Sequence, residues 1–145
     1  MTQKYYGTKL IAAWKSKGGK DNSEDGYAVK YEDGYISWSP KDVFEKSYQS
    51  MYALSFGHAI EALKAGNRVC RSGWNGKGMS LELQCPDENS KMSLPYIYMK
   101  TPNVTPHSYE LVPWLASQTD MLANDWMVLE EVAPAPVDVD QGPLG

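Results

Sequence analysis

The sequence predicts an α+β fold: a small antiparallel β-sheet packed by one main helix and a short second helix, preceded by a small ββα-like N-terminal module. Three observations carry this reading. Phe56, Ala59, Ile60 and Leu63 fall at i, i+3, i+4 and i+7, which places apolar side chains on one face of a helix. Gly26–Tyr31 and Met79–Gln84 alternate between side-chain types with the period of two that marks a strand half covered by a core. Asp33-Gly34 and Asn75-Gly76 stand between such runs, where hairpin corners are expected.

Taken in order, Lys4 to Trp14 reads as a strand, and Lys15 to Asp25, dense in Lys, Gly, Ser and Asp, as a flexible loop. In Gly26–Tyr31 the residues Tyr27, Val29 and Tyr31 share a face, and Tyr35–Trp38 returns as the partner strand. A helix opens next, with Ser39 as N-cap, Pro40 at the first position, where a missing N–H costs nothing, and Asp42 as the acid of the first turn. Val43, Phe44 and Tyr48 are expected to anchor it on the hairpin. These 48 residues make a marginal core alone, and residues 49–54 read as a link to the second domain, 49–131.

That domain begins with the main helix, Phe56 to Ala65, capped by Ser55 and ended by Gly66 in a left-handed conformation. Arg68 to Trp74 is a strand, and Met79–Gln84 returns beside it with Met79, Leu81 and Leu83 inward and Ser80, Glu82 and Gln84 outward. Cys85 to Ser93 is a polar loop, Leu94 to Thr101 a third strand, and Pro102 to His107 a loop. Tyr109 to Trp114 is a fourth strand, where Pro113 argues for a sheet edge or a strand end. Ser117 and Asp120 stand in capping-box spacing at the start of a short second helix. Trp126–Leu129 closes the sheet. Residues 132–145, VAPAPVDVDQGPLG, are rich in proline and acid without periodicity and read as a disordered tail.

Composition bounds the function. At 145 residues with 42% hydrophobic residues, the chain has room for a core. A net charge of −4 without a basic run argues against duplex nucleic acid, although a few placed cations can hold a small anionic ligand. No window approaches the ~18 consecutive apolar residues of a membrane span, and the N-terminus lacks a secretory h-region, so a soluble cytosolic protein is expected. Cys70 and Cys85 lack metal-ligand spacing and read as reduced, partly buried thiols. Five Trp and ten Tyr against two Phe favour interfaces and stacking pockets, since these rings join a flat apolar body to a polar tip.

An enzyme needs a nucleophile with a base, a metal set, or paired carboxylates in a cleft. His58 lies on the polar side of the main helix and His107 in a loop, and neither has such partners in sequence. The glycines of Gly73–Gly78 lie between two strands, not before a helix, so they form no phosphate loop. No catalytic residue, metal or cofactor is expected. A binding site requires less. Trp74 and Trp114 offer flat surfaces for a base; Asn75, Gln118 and Thr119 offer groups that read a base edge or a ribose; Arg68, Arg71 and Lys77 suit phosphates. The alternatives for these residues are a hairpin corner at Asn75-Gly76, a core role for the tryptophans and a simple cap at Ser117.

The succession SFGHAIEALKAGNRVCRSGWNGKGMSLEL, PYIYMKT and VPWLASQTDMLANDW closely resembles the Thoeris anti-defence family of phage proteins, over about residues 53–129. The resemblance implies a sponge: a protein that binds and sequesters a cyclic ADP-ribose isomer, glycocyclic ADP-ribose, without degrading it, so that the defence effector stays inactive in the cytoplasm of the infected host. It further implies that cyclic di- or trinucleotides are held by some members, and that the chain assembles as a homotetramer or homodimer with ligand at subunit interfaces. Carried over by motif, Trp74, Asn75 and Lys77 of GWNGK and Trp114, Ser117, Gln118, Thr119 and Asp120 of the later motif are the ligand-binding candidates, with Arg68 and Arg71 as phosphate-binding candidates. The N-terminal module and the tail have no counterpart in minimal members. A phage structural or host-interaction module, and a nucleotide-signal hydrolase, are the competing functions.

Overall fold

The computed structural model describes residues 1–103, 105 and 107–129 and divides the chain into two units, residues 1–50 and 51–145. The expected tail lies outside the described residues.

In the first unit, strands β1 (Ala12–Gly18), β2 (Glu24–Lys30) and β3 (Ile36–Pro40) form an antiparallel sheet in that order, and helix α1 (Lys41–Ser47) packs against it. The first strand starts eight residues later than expected, and Lys15–Gly18 and Glu24-Asp25 belong to strands, not to a loop. Pairing explains the shift: Ala12↔Lys30 through Gly18↔Glu24 needs only the residues between Gly18 and Glu24 as a turn, while Tyr5 and Tyr6 stay exposed before the strand. The turn at Asp33-Gly34 is as expected, with Gly34 at φ +88° and the Tyr35 N–H donating to Asp33 Oδ1. The α1 N-cap is Pro40, not Ser39: the β3 pairing runs through Ser39↔Tyr27 to Pro40↔Gly26, so the helix opens only at Lys41, and Pro40 makes no side-chain cap bond. Phe44 stacks between Tyr27 at 4.1 Å and Tyr48 at 5.0 Å, but Val43 is 59% exposed and anchors nothing. On the other face of this sheet the Trp38 indole lies over Gly18 and Gly26, so close that a Cβ on either would sit 2.2–2.5 Å from the ring.

In the second unit, helix α2 (Phe56–Lys64) precedes a meander of β4 (Arg68–Arg71), β5 (Ser80–Gln84), β6 (Tyr96–Pro102) and β7 (Tyr109–Pro113). Helix α3 (Gln118–Leu122) and strand β8 (Trp126–Leu129) follow. The sheet order is β7-β6-β5-β4-β8, all antiparallel, so the chain returns to pair β8 with β4 at the edge opposite β7. Pro113 ends the edge strand β7, where its missing N–H is tolerated.

Ser55 caps α2, accepting from the His58 N–H. Gly66, at φ +90°, ends it: the Gly66 N–H donates to Leu63 O and the Asn67 N–H to Ala62 O, a Schellman motif that satisfies two terminal carbonyls. Ala59 and Leu63 are buried on the helix face that packs against β4, β5 and β8. Residues directly opposite in neighbouring strands share a face, so Val69, Leu81 and Val128 form one layer beneath α2, and Trp126, fully buried, continues it beside Arg71. Two expectations about this unit need correction. Leu54 is not linker: it is buried and exchanges backbone hydrogen bonds with Trp126 at 2.8 and 3.1 Å. Ser80 is 3% exposed and Glu82 and Gln84 are half-buried, because β5 is a central strand flanked by β4 and β6.

Candidate functional site

Strand alternation places Arg71, the last residue of β4, on the same face as buried Val69, two residues before it. Its guanidinium is therefore carried under the protein surface, and two carboxylates meet it. Arg71 Nη1 donates to Asp120 Oδ1 and Nε to Asp125 Oδ1, each at 2.8 Å, with the side chains of Arg71 and Asp120 only 13% and 12% exposed. Each aspartate does more than pair with the arginine.

Asp120 is the third residue of α3 and completes the capping box: its N–H donates to Ser117 Oγ, and its Oδ2 accepts from the Ser117 N–H at 3.1 Å and hydroxyl at 2.7 Å. Its Oδ1 also accepts from the Trp74 indole Nε1 at 3.1 Å. Four donors thus converge on one nearly buried carboxylate. Burial alone would raise its pKa, but the bonds from Arg71, Ser117 and Trp74 outweigh that and bring it down to about 2. Asp125 accepts from the Gly73 N–H at 2.7 Å, and its backbone carbonyl accepts from the Ser72 N–H. The Arg71 bond, opposed by burial and helped by the Gly73 N–H, lowers the Asp125 pKa as well. Both acids are ionised at neutral pH, and the Arg71 pKa is raised by the same contacts.

The aromatic candidates are organised around Trp126. Trp74 meets it edge-on at 5.5 Å and Trp114 at 6.2 Å, while Phe56 packs against both Trp114 and Trp126. Trp74 and Trp114 are half-buried and packed on the core, so part of each ring is scaffold. Trp114 also lines a cleft of about 710 Å³ with Tyr96, Tyr98, Leu94 and Leu111. The hydroxyl of Tyr98 donates a hydrogen bond to Glu82, which together with burial pushes the phenol pKa up to about 12.

Of the residues predicted from sequence, the fold brings Arg71, Trp74, Ser117 and Asp120 into direct contact, with Trp114 one ring away. Asn75 and Lys77 are exposed on the turn that follows Trp74, and Gln118 and Thr119 are the exposed first residues of α3. Arg68 is three residues from Arg71 and alternates to the other face of β4, opposite Leu129. Arg71 is paired with two carboxylates, which occupy its Nε and Nη1. The four bonds on Asp120 leave it no free acceptor direction. Sequence reasoning did not single out Asp125 or Gly73 as members of this network. Their signal is the pairing of β8 with β4, which is invisible until the strand order is known.

His58 Nδ1 lies 2.9 Å from Ser55 Oγ within the α2 cap, and His107 sits in a loop with φ +70°. Among the described residues, no group of three or more His, Cys, Asp or Glu is placed to hold a metal ion. Cys70 is half-buried, with its thiol pKa raised by burial and then by Asp125, whereas Cys85 is exposed, contrary to the expectation of two partly buried thiols.

The Tad2-like family model, described as a Thoeris anti-defense 2-like domain, matches residues 54–129, which begin at Leu54 and end at the last residue of β8. The chain is also 38% identical over 89 residues to the protein named Thoeris anti-defense 2 of Bacillus phage SP01, an alignment covering 52% of this chain and 94% of that protein. The first unit, residues 1–50, lies outside the family match.

Proposed function

Since this chain belongs to the Thoeris anti-defense 2 family and so has a phage anti-defence role, we propose that it acts as a sponge: it captures a cyclic ADP-ribose isomer, glycocyclic ADP-ribose, without degrading it. The observation that carries this reading is the fixed orientation of Trp74. Its indole edge is held by Asp120 and Trp126, while Asn75, Lys77, Gln118 and Thr119 stand exposed on the two segments that this bond joins. A ring already held in place loses little freedom when a base stacks on it, and such stacking contributes roughly 1–3 kcal/mol per base. The neighbouring amides, hydroxyl and ammonium suit ribose and phosphate oxygens. A sponge needs tight binding and slow release and no stabilised transition state, which fits carboxylates saturated by structural bonds.

Cyclic di- or trinucleotides are further ligands under this reading, and the protein works in the host cytoplasm. None of the described helices is long and apolar enough to cross a membrane. Self-association as a homodimer or homotetramer belongs to the same proposal, supported by the exposure of Leu94, Leu111 and Leu115 at 74%, 56% and 91%. That apolar surface also favours a second reading, a structural or host-interaction module. These two readings and a hydrolase are separated by one experiment. Glycocyclic ADP-ribose is incubated with the protein, the protein is denatured, and the supernatant is analysed. Depletion before denaturation followed by recovery of intact ligand supports the sponge, a cleaved product supports a hydrolase, and no depletion supports the interaction module.

A further inference from the structure

We propose that Asp125 is the positioning residue of the Trp74–Gly78 turn: without contacting ligand, it holds that turn in its binding conformation through the Gly73 N–H and the Arg71 guanidinium. The inference rests on the reading of that turn as the ligand site. Two features of the geometry point to it.

First, Asp125 ties down the start of the turn at successive residues. Its carboxylate accepts from Arg71 Nε at 2.8 Å and from the Gly73 N–H at 2.7 Å, and its backbone carbonyl accepts from the Ser72 N–H at 3.2 Å. The β4 ladder ends at Arg71↔Trp126, so this one residue continues the attachment of the chain past the last ladder pair, through Ser72 and Gly73. Charge-assisted bonds to a backbone N–H are among the stronger hydrogen bonds available to a loop.

Second, Gly73 is shaped to receive the carboxylate. A Cβ built there would lie 2.6 Å from Asp125 Oδ2, whereas the Gly73 φ lies outside the left-handed region that strains L-residues. An alanine at 73 therefore meets no left-handed φ strain; what it obstructs is the approach of the Asp125 carboxylate. Removing the carboxylate and obstructing it from the other side are two lesions of one contact, made on different strands' ends.

The test uses Asp125→Ala, Gly73→Ala and the double variant in the full chain. Amide exchange of residues 72–78 is measured without ligand, and calorimetry with glycocyclic ADP-ribose follows. Positioning predicts faster exchange confined to the turn in both single variants. It also predicts a Kd raised about tenfold if the turn is binding-competent about one-tenth of the time, because apparent affinity falls by that fraction. The double variant binds no worse than the weaker single one, since both changes break the same contact. Unchanged exchange in the turn, or loss of protection spread through α2 and the sheet, overturns the proposal. Absence of binding by the wild-type protein overturns the functional reading instead, and the exchange pattern still decides the role of Asp125.

Discussion

Replacing Asp120 by asparagine tests the central network most directly. The amide keeps the shape of the side chain but one acceptor oxygen in place of two. In the native protein Oδ1 serves Arg71 and Trp74, and Oδ2 serves the Ser117 N–H and hydroxyl. An asparagine with its oxygen toward Arg71 and Trp74 turns its NH2 group against the Ser117 N–H and loses the capping box; the opposite rotamer loses the arginine and the indole. Two bonds of four are lost either way, and those that remain lose the negative charge of their acceptor. A hydrogen bond to a charged group contributes about 1.5–3 kcal/mol, and removing one partner of a buried ion pair costs about 3–5 kcal/mol. Arg71 keeps Asp125, so the cost falls below that second range, at about 2–3 kcal/mol. For a domain of this size a kilocalorie moves the melting temperature by roughly 4–8 °C, which gives a decrease of roughly 8–24 °C. Near-UV circular dichroism, which the clustered tryptophans dominate, follows the transition. A decrease of less than about 3 °C would refute the reasoning, because four geometrically sound bonds on a nearly buried carboxylate would then carry almost no net stability.

Further outcomes follow from the same contacts. Asp120 has a folded pKa of about 2 against an ordinary value of 3.8, and that of Asp125 is also lowered. The unfolded chain therefore takes up protons first: stability is fully present above the ordinary carboxylate range and is lost as pH falls through it toward about 2, and urea titrations from pH 6 to 2 should show a shallower loss in Asp120→Asn. Trp126→Ala should cost about 3–5 kcal/mol by chemical denaturation, the usual penalty for emptying a fully buried indole site, and Trp74→Phe should cost less while reducing ligand affinity in calorimetry. In the first unit, Gly26→Ala drives a Cβ to 2.5 Å from Trp38 and 2.3 Å from the Ser39 carbonyl, so a loss of about 1–3 kcal/mol is expected on differential scanning calorimetry. Alkylation followed by mass spectrometry should label exposed Cys85 well before Cys70, whose thiol is half-buried and harder to ionise.

The chain alone specified its local devices. Ser55 and Gly66 bound α2, Ser117 with Asp120 opens α3, and Asp33-Gly34 turns the first hairpin, because caps and corners depend on residues within a few positions of one another. The alternation of Leu81 and Leu83 with polar neighbours gave the sheet face that meets α2, and the GWNGK and PWLASQTD segments gave the family. Where the reading missed, a distant partner was the cause. Lys15–Gly18 looks like loop until its register with Glu24–Tyr27 turns it into strand, and Ser80 looks exposed until β4 and β6 enclose β5. The same holds at the candidate site. Capping explained Asp120 from its neighbours, but only the pairing of β8 beside β4 carries Arg71, Trp74 and Gly73 to Asp120 and Asp125, some fifty residues later in the chain. Local chemistry fixes the helices and turns; which carboxylate meets which cation is a property of strand order, and strand order exists only in the folded molecule.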